Sequence, residues 1–451
     1  MSEQIERLAQ FVAETQWDEL PAAVQQHAKL VLLDTLGVIL AGAEQPEVQQ
    51  LRQRLLATAG TGATVLARGW PISDPRTVAL LNGIAGRSIE LCEGHRYVPC
   101  QGAVQIVPGV LAVGEWVQST GREMLTALIV GYDIAIRLGA ALTPRALAHQ
   151  NGQAALLGAV AAGARLRGLN AAETSRALRI GATLVLTPSY TNAVAGATAL
   201  NVAGGMSGFA AALASELALA GFVAQDNAIE EALSSLVGDG FQPGGLLHEL
   251  GTRWEIHRNY FRLRACCNPI YAALDALEDA LTALHPQPDE IARIDVATYR
   301  FASVMRNPDP PNYFAAKYSL PHAAAAVVLR GNAGYGSFTE AVVHDPAIMA
   351  LRHHVHITEA SEMTAVAPRL KPARVTVTLK DGRQSTHTCE SARGDFQRPY
   401  QESEIREKFR ELAALVLTPD GVAGIEQAVN SCEQWTSVRE LTAQLCRYGR
   451  P

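Results

Sequence analysis

Several chemistries are excluded by what the chain does not contain. No CxxC couple, HExxH helix motif, phosphate-binding loop, dinucleotide fingerprint or GxSxG elbow occurs in its 451 residues. GNAGYG (331–336) neither follows a strand nor opens a helix, so it is discounted as a nucleotide site. Charge is sparse as well, at 18% Asp, Glu, Lys and Arg, with a net charge of −6 and both signs mixed. That leaves no footprint for nucleic acid and no basic helix for a membrane surface. The apolar runs are broken by charge or glycine before about 18 residues, so no transmembrane span is expected. The opening MSEQIERLAQ lacks the cationic and apolar regions of a signal peptide. Seven cysteines, an odd number in a long chain, fit free thiols in a reducing cytosol. The expectation is a soluble cytoplasmic protein.

What is present is apolar and rich in small residues. The hydrophobic share is 48%, and the length is about three times that of a typical domain, so two or three domains are expected. PAAVQQHAKLVLLDTLGVILAGA (21–43) opens on a proline suited to a first helical turn and carries apolar residues at helical spacing. The segments 122–142, 153–169, 170–186 and 199–222 follow the same pattern. Their Ala and Gly content suits close helix packing. After about residue 262 the texture changes. A helix at 270–285 leads to an alternating strand at 293–300 and another helix at 320–331. ARVTVTLKDGRQSTHTCE (373–390) then reads as a hairpin about a Lys-Asp-Gly turn. The predicted fold is mainly α: an all-helical domain at 1–262, a smaller α+β domain at 263–397, and helices at 398–451 that return to the body. A cleft between the two domains is the favoured ligand site.

Four polar clusters are candidates for that site. ELCEGHRYVPCQGAVQ (90–105) carries two acids, His95, Tyr97 and two cysteines in a stretch that reads as too polar for a core. An active-site loop and a solvated turn both fit it, and the spacing argues against a metal site. His149 lies just ahead of an apolar helix, where it suits either proton transfer or an ordinary capping role. YFRLRACCNPIY (260–271) offers Arg262, whose planar fork matches a carboxylate, beside two cysteines read as a buried, inert pair. Lys317, Tyr318 and His322 stand at the entry to a helix, whose N-terminus favours anions.

Taken together, these segments resemble the MmgE/PrpD superfamily. The likeness rests on LPAAVQQHAKLVLLDTLGVILAGA (20–43), LNGIAGRSIELCEGHR (81–96) and GAVQIVPGVLAVGEW (102–116). It continues through HQNGQAALLGAVAAGARLRGL (149–169), YFRLRACCNPIYAALDAL (260–277) and KYSLPHAAAAVVLRG (317–331), and GDFQRPYQESEIREKFRELAALVL (394–417) completes it. The resemblance implies a helical body with an α+β lid, a homodimer, and a catalytic cleft between body and lid with no metal or other cofactor. The implied chemistry removes a proton next to a carboxylate, then loses water or carbon dioxide or returns the proton.

The sequence departs from the family pattern at several places. The acidic motif survives in part as Glu90 and Glu93. A His-Pro pair is replaced by Gln101 and Gly102, a second His by Gln105, and a lysine by Thr198. Another lysine is replaced by Arg262, and an Arg and a His by Asn268 and Tyr271. On this pattern His149, His95 and Tyr318 are the expected catalytic groups. Glu93, Tyr97, Gln101, Thr198, Arg262, Lys317 and His322 are the expected substrate contacts. The expected substrate is a small anionic molecule outside the family's usual range, taken by a lyase or isomerase. An epimerase or double-bond isomerase, or a non-catalytic ligand-binding dimer, are the alternatives.

Overall fold

Helix-forming sequence dominates the first half of the chain, and a computed structural model shows how it packs; it describes residues 2–56, 60–395 and 397–450. The body is built from α1 (Ser2–Glu14), α2 (Ala22–Gly42), α3 (Pro46–Leu55), α4 (Pro75–Ser88), α5 (Gly102–Val117), α6 (Gly121–Ala141), α7 (Ala154–Leu166) and α8 (Ala171–Gly181). A short α9 (Thr191–Ala195) and a long α10 (Val202–Leu219) complete it. Local chemistry sets the helix starts. Asp74 accepts from the backbone N–H groups of Arg76 and Thr77 ahead of Pro75, and Thr120 with Glu123 forms a capping box. The α2 helix is buried along nearly all of its last four turns, as an apolar helix in the centre of a bundle must be.

Small residues set the spacing of these helices. A Cβ at Gly163 on α7 would stand 2.1 Å from the carbonyl oxygen of Ala211 on α10. The two backbones are thus in contact where a side chain would hold them apart. Gly121–Ala141 and Thr198–Leu219 are long and apolar enough to cross a bilayer by length and composition. Within the protein, 89% and 61% of their apolar windows are buried.

A four-stranded sheet forms the second core. Its strand order is Gln384–Cys389, Ala373–Leu379, Ile291–Thr298, Val355–Glu359. The first three run antiparallel, with Val296 opposite Val375, and the fourth lies parallel to Ile291–Thr298, with Ile294 opposite Val355. Alternate residues of Ile291–Thr298 and Ala373–Leu379 face inward, where Val296, Val375 and Val377 share a cluster with Leu274 and Leu277 of the helix Tyr271–Leu284. The C-terminal helices Glu402–Ala413, Pro419–Asn430 and Arg439–Tyr448 return to the body. Ile405, Phe409, Ile425 and Leu441 enter the same cluster as Leu32 and Leu36 of α2.

Two features depart from expectation. The strand Val355–Glu359 is formed by VHITE, a short, polar-interrupted run that gains its order from pairing with Ile291–Thr298. The stretch 90–105 is not a solvated turn: Glu90, Cys92, Glu93, His95, Cys100, Gln101 and Gln105 are all buried. Its carboxylates and amides are tolerated inside because they meet partners there. All seven cysteines are free thiols, and six are buried.

Candidate active site

A cavity of about 1070 Å³ opens between the helical body and the sheet-bearing part. The body supplies Glu90, His95–Gln101, His149, Gln150, Tyr190, Tyr260 and Arg262. The opposite wall comes from Cys267–Pro269, Tyr299–Phe301, Val304, Tyr318, Thr364, Ala367–Lys371 and Gln397.

The inner wall is organised by Glu90. It follows the end of α4 with a φ of 55°, the left-handed conformation that usually terminates a helix at Gly or Asn. That backbone turn folds the carboxylate back over its own helix. Glu90 accepts from Arg87 Nη1 at 2.8 Å, Arg262 Nη1 at 2.6 Å and the Tyr318 hydroxyl at 3.1 Å. Two guanidinium groups hold its carboxyl far below the usual range despite complete burial. Arg262 also donates to the Tyr260 hydroxyl at 3.2 Å, while its Nε is buried without a partner among the described residues. One carboxylate between two guanidiniums leaves this cluster with net positive charge.

His149 lies in the loop before α7, buried and stacked on Tyr190 with ring centroids 5.6 Å apart. Its Nδ1 accepts from the backbone N–H of Asn151 at 3.2 Å, which places the proton of the neutral ring on Nε2. Burial, then the field of Arg87, lowers its pKa to about 3, so the ring is neutral in the empty site. Gln105 holds this loop: its Oε1 accepts from Gly152 N at 2.8 Å and from the Ser207 hydroxyl at 3.0 Å. Gln105 is therefore a brace between α5, α10 and the His149 loop.

His95 is carried by a two-residue strand, Gly94–His95, paired with Asn259–Tyr260. Its Nδ1 accepts from Tyr97 N at 3.3 Å, and its Nε2 stands 3.3 Å from Glu255 in a poorly aligned contact. Burial lowers its pKa. Tyr97, half exposed at the cavity mouth, is covered by the Arg258 guanidinium at 4.2 Å. Gln101 accepts from Gln150 Nε2 at 3.3 Å. The hydroxyl of Tyr318 is driven well above its ordinary pKa by burial and by Glu90, so it stays protonated.

Six of the expected residues thus reach the cavity: His95, Tyr97, Gln101, His149, Arg262 and Tyr318. Four do not. Glu93 is buried beneath the loop, accepting from Ala103 N at 2.7 Å and the Tyr132 hydroxyl at 2.8 Å, and it anchors the start of α5. Thr198 begins the single turn Thr198–Asn201, half-buried and off the lining. Lys317 is enclosed behind the wall, donating to the Ala265 carbonyl at 3.4 Å and lying 5.0 Å from the Phe338 ring. His322 is the third residue of the helix Leu320–Arg330, whose N-cap Ser319 accepts from its backbone N–H. Its ring joins the Ser337 carbonyl to Arg352 and faces the interior of the sheet-bearing part. The run SLPH is thus a helix entry: cap, first turn with proline, and a histidine tying two neighbouring segments together.

Sequence reasoning missed Arg87, Tyr190 and Lys371. Arg87 could have been found from its three-residue spacing to Glu90 across a helix end. Lys371 sits in an unremarkable RLKPAR run with no local signal. In the fold it lines the cavity and donates to Asn268 Oδ1 at 2.9 Å, and burial lowers its pKa to about 8. Cys266 and Cys267 are both raised to about 12 by burial, so neither is a thiolate nucleophile at neutral pH. Among the described residues no three His, Cys, Asp or Glu side chains gather at metal-ligand spacing.

Comparison with known proteins agrees with this architecture. The MmgE/PrpD N-terminal domain matches residues 6–237 and the MmgE/PrpD C-terminal domain matches residues 265–434. The chain is 25% identical to the cis-aconitate decarboxylase-like protein oryM of Aspergillus oryzae, over 97% of this chain and 96% of that protein. It is 23% identical to a cis-aconitate decarboxylase of Aspergillus terreus, over 94% of this chain and 92% of that one. With the human cis-aconitate decarboxylase it shares 24% identity, over 94% and 90% of the two chains. Both domains match in order and cover most of the sequence, and the chain belongs to the MmgE/PrpD family.

Proposed function

We propose that this chain is a cofactor-independent lyase that forms a carbanion next to a carboxylate of a small anionic substrate and quenches it with a proton. The observation that carries this reading is the charge of the cavity. Among the described residues its lining holds one carboxylate, Glu90, already shared by two guanidiniums, against Arg96, Arg262, Arg300, Arg369 and Lys371. Such a surface rewards an anion and stabilises the charge that spreads onto carboxylate oxygens as a carbon loses a proton or carbon dioxide.

His149 is the proton carrier in this scheme. Burial first, then the field of the arginines, keeps its ring neutral in the empty site. A bound carboxylate offsets the arginine part of that effect and raises the ring's proton affinity, so the ring takes up a proton from solvent on binding. Tyr318 gives its one hydroxyl proton to Glu90 in a hydrogen bond, so it fixes that carboxylate at the cavity wall and keeps its own proton. The relatives named cis-aconitate decarboxylases support the lyase reading. The departures from the family pattern at Gln101 and Asn268, both on the cavity wall, argue for a substrate outside the family's usual range. A second reading is an epimerase or double-bond isomerase, favoured by those same departures, because return of a proton to carbon needs no acid for a leaving group.

The test is His149→Gln against wild type on a panel of mono-, di- and tricarboxylates. Turnover of the accepted substrate should fall at least about a hundredfold, the usual scale of a lost general acid–base group. Thermal stabilisation by the same compound should persist. Full turnover by the variant would overturn the assignment.

A further inference from the structure

The cations around the cavity are not equivalent. Arg262 is committed to Glu90, Arg96 is paired with Asp395, and Arg300 at the rim is paired with Glu359. Lys371 differs from all three, and from Arg369, which is exposed to solvent. Its ammonium group is held by a neutral amide, Asn268 Oδ1 at 2.9 Å, and among the described residues it makes no ion pair. An amide oxygen fixes the position of an ammonium group while leaving its charge uncompensated and two of its three protons for other acceptors. The surroundings oppose that charge: burial and the nearby Arg96 and Arg262 lower the affinity of the amine for its proton, outweighing Asp395. A positive group kept in a cavity at such a cost gains the most from an incoming anion.

Position matters as much as charge. Lys371 and Asn268 belong to the sheet-bearing wall, whereas His149 and Glu90 belong to the helical wall. We infer that Lys371, oriented by Asn268, is the docking point for a carboxylate of the substrate remote from the reacting carbon, and so decides which end of the molecule meets His149. This rests on the carboxylate reading above and adds a residue to it.

The test uses purified wild type, Lys371→Met and Lys371→Arg, with succinate and tricarballylate as probes. Binding is followed by calorimetry. Acetylation of Lys371 by a water-soluble N-hydroxysuccinimide acetate at about pH 8 is followed by peptide mass spectrometry. At least one probe should bind wild type and slow acetylation of Lys371. Lys371→Met should weaken that binding by about tenfold or more, and Lys371→Arg by less than about threefold, as expected for one charge-assisted contact. Equal binding by Lys371→Met, or acetylation of wild type undiminished by a bound probe, would overturn this subsite and leave the carboxylate reading standing. Failure of both probes to bind wild type would count against the carboxylate reading itself, and the subsite would fall with it.

Discussion

Glu93, an expected substrate contact, lies buried beneath the loop and off the cavity lining. It sits three positions from Glu90 in one acidic motif, yet Glu90 meets two guanidiniums while Glu93 meets a backbone amide and a phenol. Burial raises the Glu93 carboxyl from 4.5 to about 7, more than its two hydrogen bonds lower it. The folded state therefore holds a proton that the unfolded state releases between about pH 4.5 and 7, and this group costs stability as pH rises through that window. Glu93→Gln removes the titration. In thermal unfolding the variant should stand higher relative to wild type at pH 8 than at pH 5, and an equal difference at both would count against the assignment. Both acids are buried, so their partners decide between them, and partners are a property of the fold. No spacing rule separates Glu90 from Glu93; the partner Arg262 lies 172 residues away in sequence.

At the scale of elements, helical periodicity was the most legible signal. The runs at 21–43 and 122–142 became Ala22–Gly42 and Gly121–Ala141, and the hairpin at 373–390 formed about its Lys-Asp-Gly turn. These segments carry their pattern locally. Val355–Glu359 was not legible because its order comes from a parallel partner about 60 residues earlier in the chain. The polar stretch 90–105 was misjudged for the opposite reason: its residues look exposed, and only tertiary partners make burial affordable. Small residues in helices proved to be spacing devices. At Gly163 even one methyl group meets the Ala211 carbonyl, so Gly163→Ala should push α7 from α10. Denaturant unfolding should show a loss of about 1–3 kcal/mol, the usual cost of overpacking, although Ala is the better helix former. A gain in stability would show that the helices are not held in backbone contact.

For the whole molecule, a helical body and a sheet-bearing part face each other across one cavity, and the residues that line it come from both. His149 is positioned by the packing of α5 and α10 through Gln105, whereas Lys371 and Tyr318 are positioned by the sheet-bearing part. Chemistry that needs a proton carrier and a carboxylate anchor at once needs both walls together. This long-range assembly is why six of ten expected residues reached the cavity while Lys371 was missed: sequence order does not reveal which wall a residue joins. The central claim is that the cavity forms a carbanion beside a carboxylate. Its most direct test is NMR of the purified protein in deuterated water with mono-, di- and tricarboxylates and their amino analogues. The account predicts deuterium on a carbon next to a carboxylate, in substrate or product, for at least one compound. Compounds that raise thermal stability without any exchange or product would contradict it and mark the chain as a ligand-binding relative.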